Sequence, residues 1–254
     1  MNAPNCQVFF KWAGAIGCAL ATALAANAQT VRLHGAIGLA NMVTAKKADI
    51  EAQSGAKIEV VANGSSRGIA DLNGGRADIA LLAGDLKLVA DAVNKEKPGS
   101  IDIAGLKTVS LISSKIGFFT NPALGIKKLT DAQARDVLTG KTTNWKQVGG
   151  PDLPVKLVLP FAGDGARITG QAILLRGADF ATGAIVRSSG KDVAVVVEQL
   201  AGSCCLIGVR SAPGTTMTLV ELENEYASLY QLVFKAEPAG DVKKVIDAAA
   251  AAIK

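Results

Sequence analysis

Short apolar runs of strand character alternate with segments of helical spacing along the whole chain. This rhythm limits the possible folds more than any other feature. Val31–His34, Lys57–Ala62, Asp78–Ala83, Val109–Thr120, Val155–Leu159, Cys204–Val209 and Leu229–Lys235 are β-branched or apolar runs of strand length. Between them, Asn41–Gln53, Gly68–Leu72, Asp85–Asn94, Thr130–Leu138, Arg167–Leu175 and Asp192–Leu200 carry helical spacing, and a last Ala-rich helix runs from Asp241 to Ile253. Thr130-Asp131-Ala132-Gln133 is a capping box, and Gly140 stops the helix it opens. A βαβ succession of this kind predicts an α/β fold with mainly parallel sheets. No internal repeat and no low-complexity linker interrupts it.

Composition removes several classes of function. With 49% apolar and 19% charged residues in 254 positions, the chain has ample surface to bury and is not disordered. Its 27 glycines follow no period of three, and four cysteines are too few for a disulfide scaffold. The single histidine, His34, leaves no zinc cluster or His-based catalytic triad, so we expect no metal and no cofactor. Aromatic residues at 4% argue against a base-stacking platform and hence against a nucleic-acid partner. The formal charge of +5 suits an anionic ligand.

The N-terminus has the form of an export signal over residues 1–28. Lys11 precedes an apolar, Ala-rich run from Trp12 to Ala26, and Ala26-Asn27-Ala28 is an A-x-A cleavage site. The run is short for a membrane span. A lipobox-like Ala15-Ile16-Gly17-Cys18 offers a lipoprotein as the weaker alternative. Cleavage near Ala28 predicts a periplasmic protein with no stable membrane insertion. Cys204 and Cys205 are adjacent in a strand, where neighbours point to opposite faces, and they are expected to be buried and unbridged.

Three glycine-bearing loops follow strands and open helices. Gly64-Ser65-Ser66-Arg67-Gly68 offers hydroxyls and free amides at a positive helix terminus, which is an anion site or an ordinary Ser-capped helix start. Gly163-Asp164-Gly165-Ala166-Arg167 permits close backbone approach, and Arg167 could pair with an oxyanion. Gly35-Ala36-Ile37-Gly38 follows the first strand but does not complete G-x-G-x-x-G, since Ala40 stands at its last position. Gly140-Lys141-Thr142 imitates the end of a P-loop, yet Arg135 occupies the place of the required glycine. No G-x-S-x-G is present. Glu221, Glu223 and Glu225 alternate like a solvated strand face. No catalytic residue is expected.

The stretch Leu129-Thr130-Asp131-Ala132-Gln133, Val137 to Trp145, then Val148-Gly149-Gly150-Pro151-Asp152-Leu153-Pro154-Val155 resembles the phosphate-binding-protein-like family of type II periplasmic solute-binding proteins. Leu33 to Ala36, Gly64-Ser65-Ser66 with Gly68, Ala77 to Ala80, Leu206 to Val209 and Tyr230–Lys235 follow the family's other segments in order. The resemblance implies two α/β lobes, each a mainly parallel sheet flanked by helices, with a ligand in the cleft between them. Residues 29–116 would begin lobe one, 117–212 would form an inserted lobe two, and 213–254 would return to lobe one. The crossings would fall near Ser114–Thr120 and Arg210–Leu219.

The resemblance also implies a non-enzymatic, monomeric protein that captures a small oxyanion, phosphate foremost, for an inner-membrane ABC permease. Its ligand residues would be Gly35, Ala36, Ile37, Gly38, Gly64, Ser65, Ser66, Asp85, Gly163, Asp164, Gly165 and Arg167. Asp85 is a loose match, displaced by about two positions, for the family's acid that accepts the phosphate proton. The third loop departs from the family's R-x-x-G-S-G-T: Pro160, Asp164 and Ala166 stand where Arg, Ser and Thr are typical, and Leu39 stands in the first loop where a hydroxyl is common. Each charge-assisted bond lost would cost roughly 1.5–3 kcal/mol. These departures support an alternative, a periplasmic interaction or sensor protein that kept the fold without a ligand.

Overall fold

The computed structural model describes residues 30–253. The expected signal segment, with Cys6, Cys18 and the Ala28 cleavage site, lies outside them. Among the described residues, nine strands run in chain order as β1 (Val31–Gly35), β2 (Ile58–Ala62), β3 (Ile79–Ala83), β4 (Leu106–Thr120), β5 (Lys156–Pro160), β6 (Ile185–Arg187), β7 (Ser203–Gly208), β8 (Thr218–Val220) and β9 (Tyr226–Lys235). The helices are α1 (Ile37–Ala45), α2 (Lys47–Ser54), α3 (Ser65–Asn73), α4 (Leu86–Glu96), α5 (Asp131–Leu138), α6 (Gly165–Ile173), α7 (Gly190–Gln199) and α8 (Gly240–Ala252). No helix among the described residues is long and apolar enough to cross a membrane.

The fold is the expected two-lobe α/β arrangement. Two parallel triplets, β2-β1-β3 and β7-β5-β6, form the lobe centres. They do not stand as separate sheets. The long strands β9 and β4 pair antiparallel with each other and with the triplets, giving the order β2-β1-β3-β9-β4-β7-β5-β6. Leu33, Leu39, Ile50, Leu81, Leu232 and Val245 centre one core. Phe118, Leu129, Leu138, Trp145, Leu159 and Leu206 centre another.

The chain passes between the lobes inside β4 and β9. Val109, Leu111 and Ile112 pack on the first core, whereas Ile116 and Phe118 belong to the second, and the β4–β9 register shifts between Ser110 and Ser113. The second crossing is later than Arg210–Leu219. Val220 is buried in the second core, β8 pairs with Phe118–Thr120, and Tyr226 at the start of β9 still packs on that core, so the chain leaves it only within β9. Met217, Val220 and Leu222 thus pack with the side chains around Phe118 and Phe119, not with those around Leu33 and Leu81.

Local details follow the sequence, with adjustments. The helical run around Asn41–Gln53 is two helices. Their break is at Lys46, whose amide is shared between Met42 O and Val43 O. The final helix is capped at Ala239 without a side-chain bond, and Asp241 lies in its first turn. The Thr130/Gln133 capping box forms as expected, with Gln133 N donating to Thr130 Oγ1 at 3.1 Å. Thr130→Ala is expected to cost about 1 kcal/mol, read as a lower midpoint in urea unfolding. Cys204 and Cys205 are unbridged and buried, and burial raises both thiol pKa values. Neither is expected to react with a thiol reagent at neutral pH until the protein is unfolded.

Candidate functional site

Three chain reversals meet where the lobes face one another. Gly35 ends β1, and its carbonyl accepts the amides of Asn63 at 3.0 Å and Gly64 at 2.7 Å. Those bonds tie the first loop to the second. Gly64 adopts φ +93°, a left-handed conformation suited to glycine, and this starts α3 at Ser65, three residues before the expected Gly68. Across the cleft, the Ser66 amide donates to Gly163 O at 3.2 Å. The loops at 35–38, 64–68 and 163–165 thus form one cluster contributed by both lobes.

Glycine allows this meeting to be close. A Cβ on Gly165 would lie 1.8 Å from Ala83 O and 2.5 Å from Ser65 Oγ. One on Gly64 would strike the Phe161 ring at 2.2 Å, and one on Gly38 would lie 2.3 Å from the Tyr230 hydroxyl oxygen. Ile168 of α6 buries its side chain among Ile69, Leu82, Val89 and Val233 of the first lobe. The Arg67 guanidinium lies 6.0 Å from the centroid of the Phe161 ring at the rim.

Several of the expected ligand groups already have partners within the protein. The Ala36 amide donates to Leu81 O at 2.7 Å, and Ser65 Oγ, fully buried, accepts the Ala83 amide at 3.1 Å. Asp164 caps α6: its carboxylate accepts the Arg167 amide at 3.0 Å and occupies the place an anion would take at that helix start. Burial raises the Asp164 pKa, against the lowering effect of these amides. The amides of Ile37 and Gly38 sit in the first turn of α1, before Ala40 makes that helix's first internal bond.

Two expected ligand residues are elsewhere. Asp85 is exposed and caps α4, accepting from the amides of Lys87 at 2.9 Å and Leu88 at 3.2 Å. Its side chain serves a helix terminus on the outer surface. Arg167 turns away from the loops. Its guanidinium donates to Pro160 O at 2.6 Å and lies 5.3 Å from the Phe180 ring centroid, in a groove between α4 and α6. Desolvation lowers its pKa. His34 is structural, with Nδ1 2.8 Å from Asp71 Oδ2.

The structure also brings residues to the cleft that the motifs did not mark. A cavity of about 430 Å³ opens between the lobes, walled by Ile37, Gly38 and Asn41 on one side and by Ser189, Lys191 and Arg210 on the other. Tyr230, only 3% exposed, puts its hydroxyl against Gly38, and the charges of Asp164 and Arg210 both act on it. Another cavity of about 430 Å³, walled by Thr139, Thr142, Thr143 and Lys156, contains none of the loop residues. Nothing local in the sequence ties Arg210 or Tyr230 to Gly38; only the crossing strands bring them together.

The architecture recurs in known proteins. The chain is 29% identical over 154 residues to the phosphate-binding protein PstS of Bacillus subtilis, an alignment covering 61% of this chain and 48% of that protein. It is 33% identical over 102 residues to PstS of Borreliella burgdorferi, covering 40% of this chain and 33% of its relative. These alignments span about half or less of each relative. A Clostridium perfringens structure with bound phosphate, described as a phosphate ABC transporter substrate-binding protein, superposes with a TM-score of 0.73 at 24% identity. That match covers 87% of this chain and 92% of the other. An ABC-type phosphate transport receptor from Vibrio cholerae gives a TM-score of 0.69 at 20% identity, covering 87% and 93%. At these identities the superpositions establish a shared fold. The family model for the PBP superfamily domain matches residues 20–252, nearly the whole chain, and the protein belongs to that superfamily.

Proposed function

We propose that this chain is an extracytoplasmic solute-binding protein that captures a small oxyanion, phosphate foremost, and delivers it to an inner-membrane ABC importer. It acts by binding, as a monomer, without turnover. After cleavage near Ala28 it works in the periplasm. Residues 29–116 and the return along β9 close on the inserted lobe between them. The observation that carries this reading is the junction of Ser66 with Gly163, where loops from both lobes meet beside the open amides of Ile37 and Gly38. Backbone donors at a helix start suit a compact anion, and the curated relatives are named for phosphate.

Titration calorimetry with phosphate, sulfate and organic phosphates tests the reading. One saturable site for phosphate is expected. Absence of heat and of any thermal shift with all of these anions overturns it. The second reading, an interaction or sensor protein of the same fold with no ligand, is favoured by Pro160, Asp164 and Ala166 in the third loop and by the Ser66 amide already paired with Gly163 O across the cleft. It expects that negative result.

A further inference from the structure

We propose that Arg210, assisted by Lys191, is the cation that engages a phosphoryl oxyanion in the cavity between α1 and α7. This inference rests on the anion-capture reading and supplies the cation missing from the third loop. Pro160 has no charge to give, Asp164 fills the start of α6 with its own carboxylate, and Arg167 is spent on Pro160 O and Phe180. The third loop therefore presents negative rather than positive charge to the cleft.

The opposite wall supplies what that loop does not. Arg210 and Lys191 both face the cavity, and among the described residues neither forms an ion pair. Arg210 is exposed, so its guanidinium is available to a ligand. Its charge reaches the Tyr230 hydroxyl, which abuts Gly38 across the cleft. Gly38 and Ile37 line the same space with unused first-turn amides. Ser114 Oγ is a further buried hydroxyl, close to the Tyr230 hydroxyl. It lies 3.8 Å from the position of a Cβ on Gly208, and Ser211 Oγ, on the cavity wall, lies 3.5 Å from that position.

The acids around the cavity are accounted for. Glu198 Oε1 accepts from Thr215 Oγ1 at 2.8 Å and from the Thr216 amide at 2.6 Å. Asp192 is held by the hydroxyls of Ser188 and Ser189. A guanidinium with no ion-pair partner among the described residues and beside open amides matches a tetrahedral oxyanion in charge and in planar two-point geometry, while Glu198 on the same wall is held by Thr215 and Thr216. The cavity volume, about 430 Å³, falls within the range of small-molecule sites and exceeds what one inorganic phosphate fills. The phosphoryl group can therefore be free phosphate or the head of a small organic phosphate.

Calorimetry with inorganic phosphate and, separately, glycerol 3-phosphate tests the assignment and identifies the source of the phosphoryl group. The unmodified full chain is compared with Arg210→Gln, Arg210→Lys, Lys191→Gln and Arg167→Gln, with thermal unfolding of each as a check on folding. Arg210→Gln is expected to weaken whichever probe binds by about 10-fold or more. Arg210→Lys should retain part of the affinity, because it keeps the charge and loses the fork. Arg210→Gln within twofold of the unmodified protein overturns the assignment, as does a larger loss in Arg167→Gln. An unmodified protein that binds neither probe overturns this inference, and the anion-capture reading falls with it only where sulfate also gives no heat and no thermal shift, whereas binding that survives Arg210→Gln overturns this inference alone.

Discussion

Replacing Gly165 with alanine is expected to weaken anion binding by about 100-fold or more while each lobe stays folded. The added Cβ would lie 1.8 Å from Ala83 O, where the neighbour is strand backbone with no rotamer to change. Ala83 ends β3 in the first lobe and Gly165 opens α6 in the second, so the clash is between lobes. Overpacking typically costs about 1–3 kcal/mol, and contact with a fixed carbonyl belongs at the upper end. The strain is relieved by holding the lobes apart, which separates the Ser66 amide from Gly163 O and dismantles the cluster. Gly35→Ala makes a useful contrast. There the Cβ would lie 2.0 Å from Leu81 O on the adjacent strand, at φ +148°, inside the first lobe. That variant should lose thermal stability rather than change lobe separation. Calorimetry and small-angle scattering together distinguish the two. A folded, compact Gly165→Ala protein with undiminished affinity would show that close approach at this glycine is not needed for binding.

The most legible part of the sequence was structural. The Thr130–Pro154 segment is recognisable because its residues serve packing and capping: Thr130 and Gln133 bond reciprocally, and Trp145 is fully buried with Nε1 on Gly202 O at 2.8 Å. Such roles are local, and spacing alone reveals them. The convergence of the glycine loops was legible for the same reason, since each follows a strand and opens a helix. Side-chain destinations were not. Asp85 and Arg167 sit at the right places in the chain, yet one caps an outer helix and the other follows Pro160 O out of the cleft. Whether a side chain faces the cleft depends on how the lobes dock, and no local pattern records that. Arg210 and Tyr230 went unmarked because each meets Gly38 only through β4 and β9, the strands that carry the chain between lobes. The packing of residues 213–225 is hidden in the same way. The apolar residues Met217 and Val220 read as strand in either lobe, and only their burial against Phe119 and Phe118 assigns them to the second.

Asp164→Asn is expected to tighten oxyanion binding by about 10-fold or more at a pH above the raised titration range of Asp164, where the parent carries the charge. The carboxylate of Asp164 sits at the start of α6, close enough to Tyr230 for its charge to act on that hydroxyl at the cleft. An anion nearby feels this charge. For separations of roughly 7 Å at an effective dielectric constant of about 20, Coulomb's law gives about 2 kcal/mol, or roughly 30-fold. Asparagine keeps the cap on the Arg167 amide and removes the charge. The pH dependence gives the sign independently. Burial raises the folded-state pKa of Asp164, so the native protein holds this proton to higher pH than the unfolded chain does. Stability from this group therefore falls as pH rises from the ordinary carboxylate range, about 4, through the raised value, and the penalty is complete above it. Asp164→Asn does not titrate there. Its stability relative to the parent should be greater at pH 7 than at pH 3.5, and its advantage in affinity should shrink over the same descent, as the parent's carboxyl takes up its proton. Weaker phosphate binding by a folded Asp164→Asn protein would reverse the interpretation: the carboxylate would then be receiving a hydrogen bond from the ligand instead of repelling it.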